Sequence, residues 1–144
     1  MSEVSTGPAT AVLVSRLSRR VYRVAREERL GMPMKLFSTL NVVRDHDGIA
    51  QQTLGETLGL DPNMLVLLLN QAEDGGYARR VRDPRDRRRH IVELTDKGRA
   101  ALERAEAGVE EVEEEILSAL DADERKQLRA LLVKALTADG DDAA

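Results

Sequence analysis

Residues 61–95 read DPNMLVLLLNQAEDGGYARRVRDPRDRRRHIVELT. Asp61 is a helix N-cap residue, and Pro62 follows at the first helical position, where a missing N–H costs nothing. Leu65, Leu68, Leu69 and Ala72 then fall at i, i+3, i+4 and i+7, which directs one face of a helix into a core, and Gly75-Gly76 supplies the stop. The opposite face carries Asn63, Val66, Leu67 and Asn70. After the glycines come a short run from Tyr77 to Arg82, a polar turn-like stretch from Asp83 to Arg89, and a second short run from His90 to Leu94. The spacing predicts a helix followed by a β-hairpin.

The hairpin is strongly basic. Between Arg79 and His90 stand seven arginines (Arg79, Arg80, Arg82, Arg85, Arg87, Arg88, Arg89) against two acids (Asp83, Asp86), so the segment carries +5 in a chain whose net charge is −4. A helix with one uncommitted face beside an arginine-loaded hairpin is the layout by which a winged helix-turn-helix reads duplex DNA, helix in the major groove and wing at the minor groove or backbone. An arginine run alone is usually a solvated loop; the adjoining helix is what favours the DNA reading.

The run DPRDRR (Asp83 to Arg88), followed by hydrophobic residues, by Leu94-Thr95 and by KGR (Lys97 to Arg99), resembles the wing and wing exit of the MarR family of bacterial transcriptional regulators. TLGETLGLD (Thr53 to Asp61) is similar to that family's helix leading into the recognition helix. The resemblance covers residues 49–105 in detail and the helical ends in outline. It implies one domain: a winged helix-turn-helix lobe over residues 30–95, dimerisation helices at 11–29 and 96–137, and tails at 1–10 and 138–144. It also implies that Asp83 orients an arginine, that Arg85 or Arg87 near the tip reaches the minor groove, and that Arg88 braces the wing or contacts phosphate. An ion pair of Arg88 with Asp86 or Asp83 is the competing role. A small aromatic or lipophilic effector between lobe and dimer helices is a further implication, for which Tyr22, Phe37 and His46 are the candidates.

The whole chain fits this frame. Its 144 residues suffice for one domain with a core. No stretch approaches the roughly 18–20 apolar residues of a membrane span. The start, MSEVSTGPAT, lacks a basic segment followed by an apolar one, so cytoplasmic residence is expected. The absence of cysteine removes disulfides, thiolate metal sites and thiol redox sensing. Three aromatics, Tyr22, Phe37 and Tyr77, are too few for the stacking platforms of single-strand binders, so duplex DNA is the better partner. From Glu103 to Glu124 ten acids face one base, Arg104; charges beyond a Debye length of about 8 Å barely oppose one another, so this acidic end need not weaken the basic wing.

In chain order, Leu13, Leu17, Val21 and Val24 mark a helix from Ala11 to about Arg29, flanked by Arg16, Arg19, Arg20, Arg23 and Arg26. Gly31 breaks it, and Pro33 is placed in the first turn of the next helix, whose apolar face is Leu36, Phe37, Leu40 and Val43. Asp45-His46-Asp47-Gly48 ends that helix; successive residues project in different directions, so the turn is preferred to a metal site and no metal or other cofactor is expected. A short helix is expected from Ile49 to Leu58, capped by Gly59, with Gly55 accounted for by close packing against the recognition helix. Thr95 is a candidate N-cap for a long helix to about Ala119, whose Leu102, Ala105, Val109, Val112, Ile116 and Leu120 form a narrow seam. Asp121 and Glu124 resemble a capping box for a last helix with Leu128, Leu131, Leu132, Ala135 and Leu136 on its apolar side. The terminal helices carry more apolar surface than one small lobe covers, which calls for a partner chain, and the MarR resemblance implies that the partner is a second copy in a homodimer.

The expected fold is therefore mainly α with a small β-hairpin wing, and the expected function is duplex DNA-binding transcriptional regulation by a ligand-responsive homodimeric repressor on a near-palindromic operator. The candidate DNA contacts are Asn63, Met64, Val66, Leu67, Asn70, Arg79, Arg82, Asp83, Arg85, Arg87, Arg88 and Arg89. Members of the resembled family typically carry small hydroxyl residues and a basic residue on the outward face of the helix; this chain has Asn63, Met64, Val66 and Leu67 there. Asn63 and Asn70 suit adenine edges and Val66 or Leu67 suit thymine methyls, with no arginine on this face for guanine. The rival reading is an antirepressor or scaffold that keeps the fold and has lost base readout. Two histidines, no cysteine and no Gly-rich phosphate loop or nucleophile elbow leave no constellation for an enzyme.

Overall fold

The computed structural model describes residues 7–46 and 48–137. The tail expected at 138–144, residues 1–6 of the N-terminal tail, and Asp47 of the predicted turn lie outside the described residues; Thr10, assigned to the N-terminal tail, opens the first helix. The elements in order are α1 (Thr10–Val24), α2 (Glu27–Leu30), α3 (Met34–Asp45), β1 (Ile49–Ala50), α4 (Gln51–Leu58), α5 (Pro62–Asp74), β2 (Ala78–Asp83), β3 (Asp86–Leu94), α6 (Asp96–Ile116) and α7 (Ala122–Thr137).

Four boundaries differ from those read from periodicity. The helix expected over 11–29 stops at Val24: Arg26 is extended and caps a separate turn, α2, which Gly31 closes at φ +79°. This break turns Leu30 into the core and brings the backbone of α2 onto α6, where a Cβ at Gly108 would lie 2.3 Å from the Arg29 carbonyl oxygen. Pro33 is the N-cap of α3 and precedes its first turn. Ile49-Ala50, expected as helix, is a strand whose residues pair with Val92 and Ile91, making a three-stranded antiparallel sheet in the order β1-β3-β2. The long helix ends at Ile116, three residues early.

Leu36, Phe37, Leu40 and Val43 of α3, Leu54 of α4, and Leu65, Leu68, Leu69 and Ala72 of α5 are buried with Val92 of the sheet and Ala101, Leu102 and Ala105 of α6. Removing this apolar surface from water, at about 25 cal/mol per Å², fixes the lobe on the near half of α6. Two ion pairs add to the same joint: Arg29 meets Glu115 at 2.7 Å, and Arg44 meets Glu106. Thr95 accepts the Gly98 N–H at 3.0 Å, and Asp121 and Glu124 exchange reciprocal capping bonds at 2.9 and 3.0 Å.

The outer helices are left uncovered. Neither α1 nor α7 buries a residue, and Leu13, Val14, Leu131 and Leu136 are 47, 52, 64 and 51 % exposed. Exposed apolar surface of this kind on two helices is what a partner chain covers.

Candidate nucleic-acid interface

The start of α5 is set by Asp61, whose Oδ1 accepts the Met64 N–H at 2.9 Å, with Pro62 at the first helical position. Gly55 admits it: a Cβ there would stand 3.0 Å from Leu65 Cδ2, so the Leu65 side chain of α5 packs onto a residue of α4 that has none. With Leu65, Leu68, Leu69 and Ala72 in the core, helical spacing turns Asn63, Leu67 and Asn70 to solvent; Val66 leans to the wing side, and Met64 is half-buried on the side of α1.

The wing is longer and more closely paired than the sequence indicated. Asp83 to Arg89, expected as a turn, is strand at Asp83 and from Asp86 onward, leaving Pro84 and Arg85 at the tip. Asp83 pairs with Asp86 while Arg82 pairs with His90, so Arg87, Arg88 and Arg89 are three extra residues on β3. A bulge bends a strand and re-aims its side chains; here it thrusts three successive arginines out of the ladder.

The hydrogen bonds sort the arginines into committed and free. Arg79 pairs with Glu93 across the strands at 3.0 Å. Arg82 donates to the Arg87 carbonyl oxygen at 2.6 Å, closing the bulge from inside. Arg88 donates both its N–H, at 3.1 Å, and its Nε–H, at 3.2 Å, to Asp86 Oδ1. Those two bonds, the backbone one first, hold the Asp86 carboxyl below its ordinary pKa. Asp83, expected to orient an arginine side chain, accepts the Arg85 backbone N–H at 2.9 Å and so shapes the tip. The side chains of Arg85, Arg87 and Arg89 make no hydrogen bond or salt bridge among the described residues, and all three are exposed, though the charge of Arg89 also acts on Asp86.

Arg80, counted in the sequence only for its charge, turns back onto α5. Its Nε–H donates to Glu73 at 2.6 Å and its Nη2 to Asn70 Oδ1 at 2.7 Å. Asn70 and Glu73 lie three apart on one helical face, which was legible; that a β2 guanidinium reaches both depends on how the hairpin docks.

A cleft of about 580 Å³ opens on the other side of α5, lined by Tyr22, Ala25, Arg26, Pro33, Met34, Lys35, Met64, Leu67, Asn70 and Gln71, among others. Of the three effector candidates only Tyr22 is there. Phe37 is 7 % exposed within the core, and His46 caps α3, its Nδ1 lying 3.2 Å from the Val42 carbonyl oxygen.

No model of a known protein family matches the chain. It is 31% identical to the transcriptional regulator HosA of Escherichia coli O111:H- over 102 residues, 71% of this chain and 76% of HosA. The transcriptional repressor CouR, solved bound to a 23-mer DNA duplex, superposes with a TM-score of 0.76 at 31% identity, covering 93% of this chain and 99% of CouR. PcaV, a transcriptional regulator of Streptomyces coelicolor solved with its natural ligand, superposes with a TM-score of 0.74 at 25% identity, covering 96% of this chain and 99% of PcaV.

Proposed function

Because the chain belongs to the MarR family of transcriptional regulators, of which CouR and PcaV are also members, we propose that it is a homodimeric regulator whose α5 and wing bind duplex operator DNA. The observation that carries this reading is the pairing of a solvent-facing α5 with three exposed arginines that make no salt bridge, Arg85 at the tip of the adjoining wing and Arg87 and Arg89 on its bulge. Arginines already tied to acids contribute little net charge; Arg85, Arg87 and Arg89 offer theirs to phosphate or to a narrow minor groove. Residues 30–95 act as the DNA-binding lobe, and residues 11–29 with 96–137 as the dimer-forming part. A two-fold dimer presents two copies of α5 to successive major grooves roughly 34 Å apart, hence a near-palindromic operator.

Base readout falls to Asn63 and Asn70 for adenine edges and to Val66 and Leu67 for thymine methyls, with Met64 at the margin. Val66 and Leu67, 39 and 58 % exposed, are also what an antirepressor or scaffold would offer another protein. The basic wing favours DNA, since an apolar protein contact makes no use of exposed guanidinium groups that form no salt bridge. Repression is the mode proposed, and the Tyr22 cleft is where a small aromatic or lipophilic effector would bias the spacing of the two α5 helices.

The test is a salt titration of binding to the gene's own upstream DNA against a scrambled duplex of equal length. Selective binding with steep salt dependence is expected. Absence of binding to either duplex at low salt refutes the reading and leaves the scaffold role.

A further inference from the structure

Asn70 faces solvent from the outward side of α5, yet its amide is not free to turn. Its two ends are alike in shape and opposite in chemistry: an oxygen that accepts and an NH2 that donates. An unrestrained amide flips between them at little cost and offers a base whichever end suits it. Arginine carries donors only, so the end that meets Arg80 Nη2 at 2.7 Å is the oxygen. Arg80 is itself fixed by Glu73, which takes its Nε–H at 2.6 Å; its side chain is 23 % exposed, against 65 % for Arg79 and 91 % for Arg88.

We propose that Arg80 is a positioning residue for base recognition, holding the Asn70 amide in one of its two orientations and so fixing which base that side chain accepts in each half-site. The proposal rests on the reading of α5 as the helix that enters the major groove. With the oxygen turned to Arg80, the NH2 is the end left to donate, and the second lone pair of the oxygen remains beside it. Adenine matches, N7 accepting while N6 donates. Cytosine, which shows only the N4 donor in the major groove, gives the amide NH2 nothing to donate to and is disfavoured. Guanine sets O6 against the amide oxygen and is disfavoured as well. A flipped amide would accept cytosine, and Arg80 prevents the flip.

Arg80 is also the basic wing residue nearest to being neutralised in place, by Glu73, so its contribution differs from that of a phosphate contact. Removing both charges together, in Arg80→Met with Glu73→Gln, leaves the net charge unchanged. The experiment measures competition by a panel of operator duplexes, each base pair replaced in turn, for the wild-type chain and its variants. Asn70→Ala is expected to abolish discrimination at one position per half-site. The Arg80→Met, Glu73→Gln double variant is expected to lower the penalty for cytosine at that same position by about tenfold, with other positions and the salt slope unchanged. Asn70→Asp, an exposed change that keeps an acceptor for Arg80, is expected to invert the preference there from adenine to cytosine, because a carboxylate accepts from N4.

A fall of about one unit per protomer in the salt slope of the double variant would make Arg80 a phosphate contact and overturn the proposal. So would a loss of discrimination spread over all positions, or an Asn70→Asp variant that still prefers adenine. A wild-type chain that binds no duplex selectively overturns the reading of α5 itself, and this proposal with it.

Discussion

Replacing Arg85 and Arg87 together by alanine removes two guanidinium groups that touch nothing else among the described residues, so their loss registers at the DNA and hardly at the fold. The turn survives the change, because Asp83 holds the tip through the Arg85 backbone N–H, which alanine keeps. Each phosphate neutralised contributes about 0.9 to the slope of log affinity against log salt, hence up to about 1.8 per protomer and 3.6 per dimer. A fourfold rise in salt, from about 50 to 200 mM, would then shrink the wild-type advantage by roughly two orders of magnitude. Fluorescence anisotropy with a labelled operator across that range reads both slopes. Arg79→Ala is the control: its guanidinium is already paired with Glu93 at 3.0 Å, so its slope should change by much less. The reasoning is refuted if the double variant keeps the wild-type slope, or if Arg79→Ala flattens it equally.

Gly108→Ala should lower stability despite the better helix propensity of alanine, worth about 1 kcal/mol. The new Cβ would sit 2.3 Å from a backbone oxygen of α2, which cannot turn aside, so overpacking of up to about 3 kcal/mol leaves a net loss near 2, read from chemical denaturation. The Asp86 carboxyl should titrate below the ordinary carboxylate value by NMR, and Arg88→Ala should raise it only in part, because the stronger of its two bonds comes from the residue-88 backbone. Since the folded-state pKa is the depressed one, this contact stabilises the wing at every pH above the ordinary carboxylate value and is lost only as pH falls through the lowered one. Leu131→Glu with Leu136→Glu should convert the sedimenting species from twice the chain's mass to once, with little loss of helicity, because neither residue is buried within the chain. A dimer that persists would place the interface elsewhere.

The recognition-helix unit was readable from residues alone, because its signals are local. Asp61-Pro62, the i, i+3, i+4, i+7 leucines and the Gly75-Gly76 stop act within one or two turns of chain, and all are found in place. The close approach foreseen at Gly55 holds for the same reason, a glycine in mid-helix needing a neighbour to justify it. The capping box at Asp121 and Glu124 is equally local.

What went astray needed a second segment. Ile49 and Ala50 have helical neighbours on their C-terminal side, and only the unpaired edge of β3 makes them a strand. The end of α1 at Val24 follows from the space α6 leaves at Gly108 for α2, an approach between residues about eighty positions apart in the chain. The composition of the wing showed its charge, but which arginines are free was decided by the folded hairpin: the three-residue excess on β3, the cross-strand partner Glu93 and the same-strand neighbour Asp86 divide them. Burial holds Phe37 in the core and a helix end holds His46, placements that the sequence did not show. The sequence by itself thus determined the class of fold, the helix from Pro62 to Asp74 and the sign of the charge beside it, since those rest on spacing and composition. Tertiary structure alone decided which charges remain available and how the Asn70 amide is turned, because a guanidinium is spent or free according to what the folded chain brings within about 3 Å of it.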